Sequence, residues 1–262
     1  MTARTLGSLF SLALLLALPA VAQADGKVAS ATGVKQVNGQ TVYVDVVVAV
    51  PRSQTARQAT DQALAEQGAR REKPPWAGNP GGPGGGGGGG GDPEFAYTGL
   101  KWDPASVTQN YNPANQPLSA LGALTSTHTT WNGVSGSAFR FALGDDDTSR
   151  CPSLVQQCKG PQVTDGLNDV GWASLGGSTL GVTWFTTSDP EADMAISTRF
   201  AWHLGCTDSG AGYDLETVFL HENGHVAGLD HTSTTQSVMY PSYQSARCTL
   251  YQYDEDAMAF LY

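Results

Sequence analysis

The apolar residues of this chain fall into three kinds of run. The first, Leu9 to Leu18, is almost continuously apolar; it follows Arg4 and is closed by Ala22-Gln23-Ala24. A run this short does not span a bilayer, and with those flanks it predicts a secretory signal peptide over 1–24, cleaved before Asp25. The second kind is β-branched or alternates with period two, and predicts strands. It covers 40–51 (QTVYVDVVVAVP), 137–143, 170–176, 180–186 and 193–202, with a further strand and its approach within 100–111. The third recurs at helical spacing. It predicts helices over 53–72 with Ser53 as N-cap, 119–134 through Leu121, Leu124, His128 and Trp131, 214–227 with Asp214 as N-cap, and 253–262. Strands grouped between helices make the class α+β, with a mixed twisted sheet.

Composition divides the chain. Residues 79–92, NPGGPGGGGGGGGD, cannot form a core and read as a flexible Gly/Pro-rich linker. Ahead of it, 25–78 holds one predicted strand and one helix, too little for a robust independent core, so this small α/β piece is expected to contact the larger one. Behind it, 93–262 is long enough for a full domain. The formal net charge is −10, and loss of Arg4 with the signal peptide makes it −11. An acidic chain argues against nucleic acid and anionic membranes as partners; a monomer is expected. The four cysteines, Cys151, Cys158, Cys206 and Cys248, are an even set in an exported chain and suggest two disulfides. Of three connectivities the favoured one is Cys151–Cys158 with Cys206–Cys248. No C-x-x-C pair supports a four-cysteine metal site.

The chemistry concentrates in 221–231, HENGHVAGLDH, which holds three of five histidines. Positions four apart share a helix face, so His221 and His225 offer paired imidazoles, with Glu222 beside them as a general base. A straight helix would carry His231 away. Gly228 tolerates the positive φ of a helix-ending turn and lets His231 return. Three histidines with an open fourth position are the ligand set of a catalytic zinc rather than a structural one. Asp145, Asp146, Asp147 and Asp165 are candidates for calcium, although GDDDTS is equally a turn. His128 and His203 read as core or surface residues.

With those residues in place, the segment resembles the metzincin metalloproteases, and within them the matrixins, whose H-E-x-G-H-x-x-G-L-D-H form it carries. SVMYPSY (237–243) is similar to the family's Met-turn, and YDEDAMAFLY to its C-terminal helix. Thr232 and Pro241 depart from the astacin-like branch, which has Glu and Tyr there. The resemblance covers roughly 95–262. It implies a zincin-like catalytic domain, with His221, His225 and His231 on zinc, Glu222 as base, Met239 beneath the metal, and Tyr240, Pro241 and Tyr243 bordering a substrate pocket. It also implies that a strand near 170–186 pairs with an extended protein or peptide substrate. Animal matrixins stay latent through a propeptide cysteine on the zinc; 25–92 contains no cysteine, so that switch cannot operate. The expectation is a secreted zinc endopeptidase with a propeptide-like front piece, hence a zymogen. Two alternatives stay open: a non-catalytic, zinc-dependent binding or adhesion module, and an amidase acting on cell-wall peptides.

Overall fold

The computed structural model describes residues 26–71, 95–146, 148, 165–208 and 212–262. The expected signal peptide, the glycine tract and Cys151 and Cys158 lie outside the described residues. In chain order the elements are β1 (Val28–Val37), β2 (Gln40–Ala49), α1 (Ala56–Glu66), β3 (Arg70–Arg71), β4 (Ser106–Tyr111), α2 (Leu121–Asn132), β5 (Arg140–Asp146), β6 (Asn168–Ala173), β7 (Thr179–Thr186) and β8 (Glu191–Ser197). There follow β9 (Trp202–His203), β10 (Tyr213–Asp214), α3 (Leu215–Val226), β11 (Ser242–Tyr243) and α4 (Gln252–Leu261).

One nine-stranded sheet runs in the order β11-β1-β2-β7-β8-β6-β4-β5, with β3 added on β1. The pairings β5–β4, β4–β6 and β6–β8 are parallel. From β8 through β7, β2 and β1 to β11 every pairing is antiparallel. The fold is the mixed α+β arrangement expected for a metzincin-like domain.

Helices cover both faces of the sheet, which explains why all eight residues of β7 are buried. On one face Leu124 and Trp131 of α2, Phe219 and Leu220 of α3 and Met258 of α4 meet Tyr43, Val47 and Phe185 in the larger core. On the other, Ala59, Ala63 and Leu64 of α1 pack over Val42, Val44, Val46 and Val48 of β2 and Val182 and Trp184 of β7. The period-two alternation of β2 thus feeds two cores.

Two local expectations are corrected. The front piece has two long strands, not one. The run VASATGVKQV is interrupted by Gly33 and polar residues, so its strand character comes from ten pairings with β2. The first helix is capped by Thr55 rather than Ser53. Thr55 Oγ1 accepts from Gln58 N at 3.2 Å, and the Gln58 side chain accepts from Thr55 N at 2.9 Å, a reciprocal box that fixes the start. Both edges of β6 and of β7 are paired within the chain, β6 between β8 and β4 and β7 between β8 and β2, so a peptide could take the edge of β7 only in place of β2.

Candidate metal centre

Helix α3 starts where expected, with Asp214 Oδ1 accepting from Thr217 N at 2.8 Å. Its backbone is gripped by two indoles: Trp131 Nε1 donates to Leu220 O at 3.1 Å, and Trp102 Nε1 to Val226 O at 2.7 Å. Asn223 Nδ2 donates to Thr127 Oγ1 at 2.8 Å and ties the helix to α2. The helix ends as the sequence requires. Gly228 has φ 102°, Gly228 N donates to His225 O at 2.9 Å, and Leu229 N donates to Gly224 O at 2.9 Å. That pair of bonds is the Schellman turn, and it sends the chain back so that His231 rejoins His221 and His225.

The three Nε2 atoms form a nearly equilateral triangle: 3.2 Å for His221–His231, 3.3 Å for His221–His225 and 3.2 Å for His225–His231. His221 Nδ1 lies 2.7 Å from Val238 O, and His225 Nδ1 lies 2.9 Å from Leu229 O. A ring nitrogen against a carbonyl must carry the proton, which aims the Nε2 lone pairs of His221 and His225 at the point that His231 Nε2 also faces. Three lone pairs cannot satisfy one another. Zinc at its usual 2.0–2.1 Å from each would set the nitrogens about 3.3–3.4 Å apart in a tetrahedral site, so the donor set fits that ion.

Glu222 is fully buried beside the trio, and Thr183 Oγ1 of β7 donates to its Oε2. Oε1 has no hydrogen-bond partner among the described residues, and the bare backbone of Gly181 leaves it room. Burial, and then the nearby Asp45 carboxylate, push Glu222 up to about 8. Burial likewise pushes His221 down to about 4. Burial also pulls His225 down, but Asp45, and after it Glu222 and Asp230, more than reverse this and leave it at about 9.

Met239 is buried, and a Cβ on Gly224 would collide with its sulfur, which accounts for the glycine inside the motif. The turn before Met239 is pinned by Asp254 of α4, which accepts from Val238 N at 3.1 Å, from Tyr251 N at 2.9 Å and from Ser237 Oγ. Nothing in the residue pattern singles out Asp254 for that duty. Tyr243 joins Val218 and Thr217 around a cavity of about 150 Å³ whose lining also includes Gly26 and Val28. Tyr240 and Pro241 are not in that lining; Pro241 O instead accepts from Ser30 N of β1 at 2.9 Å.

Asp45 is the second residue not anticipated. It lies on the α3 face of β2, opposite Thr183 of β7, and is fully buried. Its Oδ2 is 3.5 Å from His225 Nε2 and its Oδ1 3.5 Å from His231 Nε2. Asp45, His221, His225 and His231 together form a group of metal-ligand size. The available clue was one charged residue in the middle of the apolar run TVYVDVVVAV.

Cys206 and Cys248 form the expected disulfide, closing a separation of 42 residues around α3 and the histidines. Among the described residues Asp145, Asp146 and Asp165 join no metal-sized group, and Asp147 lies outside them. His128 is buried, with Nε2 2.6 Å from Gln109 Oε1, and His203 stands 3.6 Å from Asp214; neither approaches the trio.

A helix that stops at a glycine so that a third histidine can return to the first two, above a buried methionine turn, is the arrangement of the metzincin class of metal centres. Residues 169–262 match the sequence model of the matrixin peptidase family. This part of the chain is thus similar to the matrixins, a metzincin family that implies zinc. Matrix metalloproteinase-25 of Mus musculus is 37% identical over 92 residues, 33% of this chain and 15% of that protein. Metalloendoproteinase 1 of Glycine max is 41% identical over 54 residues, 20% of this chain and 18% of that one. The chain thus spans less than a fifth of the length of either relative. Among solved structures, metalloproteinase II from Bacteroides fragilis is similar at 16% identity and a TM-score of 0.35, over 89% of this chain and 76% of that one. A likeness at that level carries no weight for function.

Proposed function

We propose that the protein is an exported zinc endopeptidase that hydrolyses peptide bonds of proteins outside the cytoplasm. The observation that carries this reading is the convergence of three Nε2 lone pairs on one point beside a buried carboxylate. His221, His225 and His231 would hold the ion. Zinc, when bound, polarises a scissile carbonyl and lowers the pKa of water toward about 7. With a cation held by the histidines to favour its ionised form, Glu222 would take the proton on Oε1, the oxygen left without a partner, while Thr183 fixes Oε2 and so the direction of the carboxyl group. The proton then passes from Glu222 to the leaving amine. Met239, set by Asp254, supports the histidines from below. The cavity bounded by Val218 and Tyr243 suits the side chain that follows the scissile bond. The signal-peptide pattern of 1–24 supports export.

The test is Glu222→Ala against wild type. Both are loaded with zinc, treated identically with a protease that cuts the glycine tract and degrades the front piece, and assayed on quenched peptides. The variant should keep one zinc per chain and lose activity by about 10²–10⁴-fold. Equal inertness of both, each retaining zinc, supports the binding-module reading. Cleavage of cell-wall peptides without cleavage of protein substrates points to the amidase.

A further inference from the structure

We propose that Asp45 is a fourth protein ligand of the metal, and that the β1–β2 hairpin is a built-in occupant of the cleft which keeps the centre closed until it is displaced. The inference rests on the zinc reading above and names how that same site is regulated.

The first support is the carboxylate itself. Asp45 is fully buried; its Oδ2 has no hydrogen-bond partner among the described residues, and its Oδ1 accepts from Thr32 Oγ1 at 3.2 Å. A buried, half-satisfied carboxylate costs several kcal/mol unless a cation meets it. Without a metal, a proton on His225, which Asp45 favours, would supply it; with the imidazole lone pairs committed to a metal, the ion must. A divalent ion shared with the three histidines answers both needs at once. Its size fits: the carboxylate oxygens stand 3.5 Å from Nε2 of His225 and His231, close to the edge of about 3.4 Å that a tetrahedral zinc site requires.

The second support is backbone occupancy. An extended peptide reaching this centre would need the edge of β7, and β2 already takes it, from Tyr43 opposite Phe185 to Val48 opposite Thr179. On the other side β1 pairs with Ser242 and Tyr243, and Ser30 N donates to Pro241 O. Ser30 Oγ lies 2.8 Å from His231 Nε2 and narrows the approach on that side. The hairpin therefore fills the space between the β7 edge and the segment after the Met-turn, and Asp45 is the side chain it delivers at the metal.

The third support is that placement is specific. Asp45 is the only charged residue in β2. Its neighbours on the same face, Tyr43 and Val47, are core residues, and a strand built only to pack would carry another apolar residue between them.

The test uses the full chain loaded with cobalt(II), whose visible spectrum reports its ligands, and acetohydroxamate, a small chelating metal ligand, as probe. The wild-type spectrum should not change when the probe is added, because no coordination position is open. Asp45→Ala should give a different starting spectrum, a shift on adding the probe, and full-chain peptide cleavage raised by about tenfold or more. Asp45→Asn, which keeps the shape and the bond from Thr32, carries the same test should the alanine variant fail to fold. A wild-type spectrum that responds to the probe as the variants do overturns the proposal and leaves the zinc reading standing. Failure of every form to take up cobalt overturns both.

Discussion

Two halves of one site are held together by different physics. The helix half, His221 to His231, is local. Its geometry follows from a cap, a four-residue spacing and a glycine turn, all within the stretch from Asp214 to His231. The strand half comprises Asp45 on β2, Ser30 on β1 and Thr183 on β7, and no two of these are neighbours in sequence. They meet only because β1, β2 and β7 are paired in register. Spacing can encode the first half. Only completed pairing, with α1 and the apolar face of β2 behind it, creates the second.

The sharpest way to separate the halves is to loosen one while sparing the other. Leu64 is fully buried in the core beneath α1, on the face away from α3. Leu64→Ala should cost about 2–5 kcal/mol of stability in denaturant unfolding. It should free the hairpin and raise peptide cleavage by the full chain, while the spacing of the histidines is untouched. An unfolding cost with no gain in cleavage would mean that the hairpin does not restrain the centre.

The reciprocal change strikes the helix half. Gly228 has φ 102°, and a Cβ there would run into Leu100 O. Gly228→Ala should cost about 1–3 kcal/mol and weaken zinc retention, because the turn that returns His231 is strained. Unchanged zinc affinity in a chelator competition would show that His231 reaches the metal without that turn.

The smallest effect concerns how α3 is braced from behind. His128 meets Gln109 Oε1, and Gln109 Nε2 donates to Asn223 Oδ1 at 3.1 Å. Burial holds His128 down at about 4, against an ordinary value of 6.5. The unfolded chain therefore binds that proton first as the pH falls, so stability declines from about 6.5 toward 4. His128→Gln should flatten that part of the stability profile measured by thermal unfolding. An unaltered slope would assign the decline to other groups.

The contrast between the halves also explains what the chain disclosed before it was folded. HENGHVAGLDH, the Met239 turn and the Cys206–Cys248 pair were legible because each depends on short spacing or on residue type alone. The elements around them were legible because β2, β7 and α3 carry strong periodic patterns. What escaped was tertiary. β1 has no clear pattern of its own, and its status as a strand depends on β2. Asp45 stood in view as a lone acid in an apolar run, yet nothing in sequence says that β2 lies on β7, which is what sets it against the histidines. Asp254 is ordinary in a helix start, and its work on the Met239 turn emerges only when α4 is docked.

X-ray absorption at the zinc edge of the full-length protein tests the central claim most directly. Three imidazole nitrogens at about 2.0–2.1 Å, with an oxygen completing four ligands, is the result expected from this geometry. Two or fewer imidazoles, or any sulfur neighbour, would contradict it, because the helix half would then not be assembled as described.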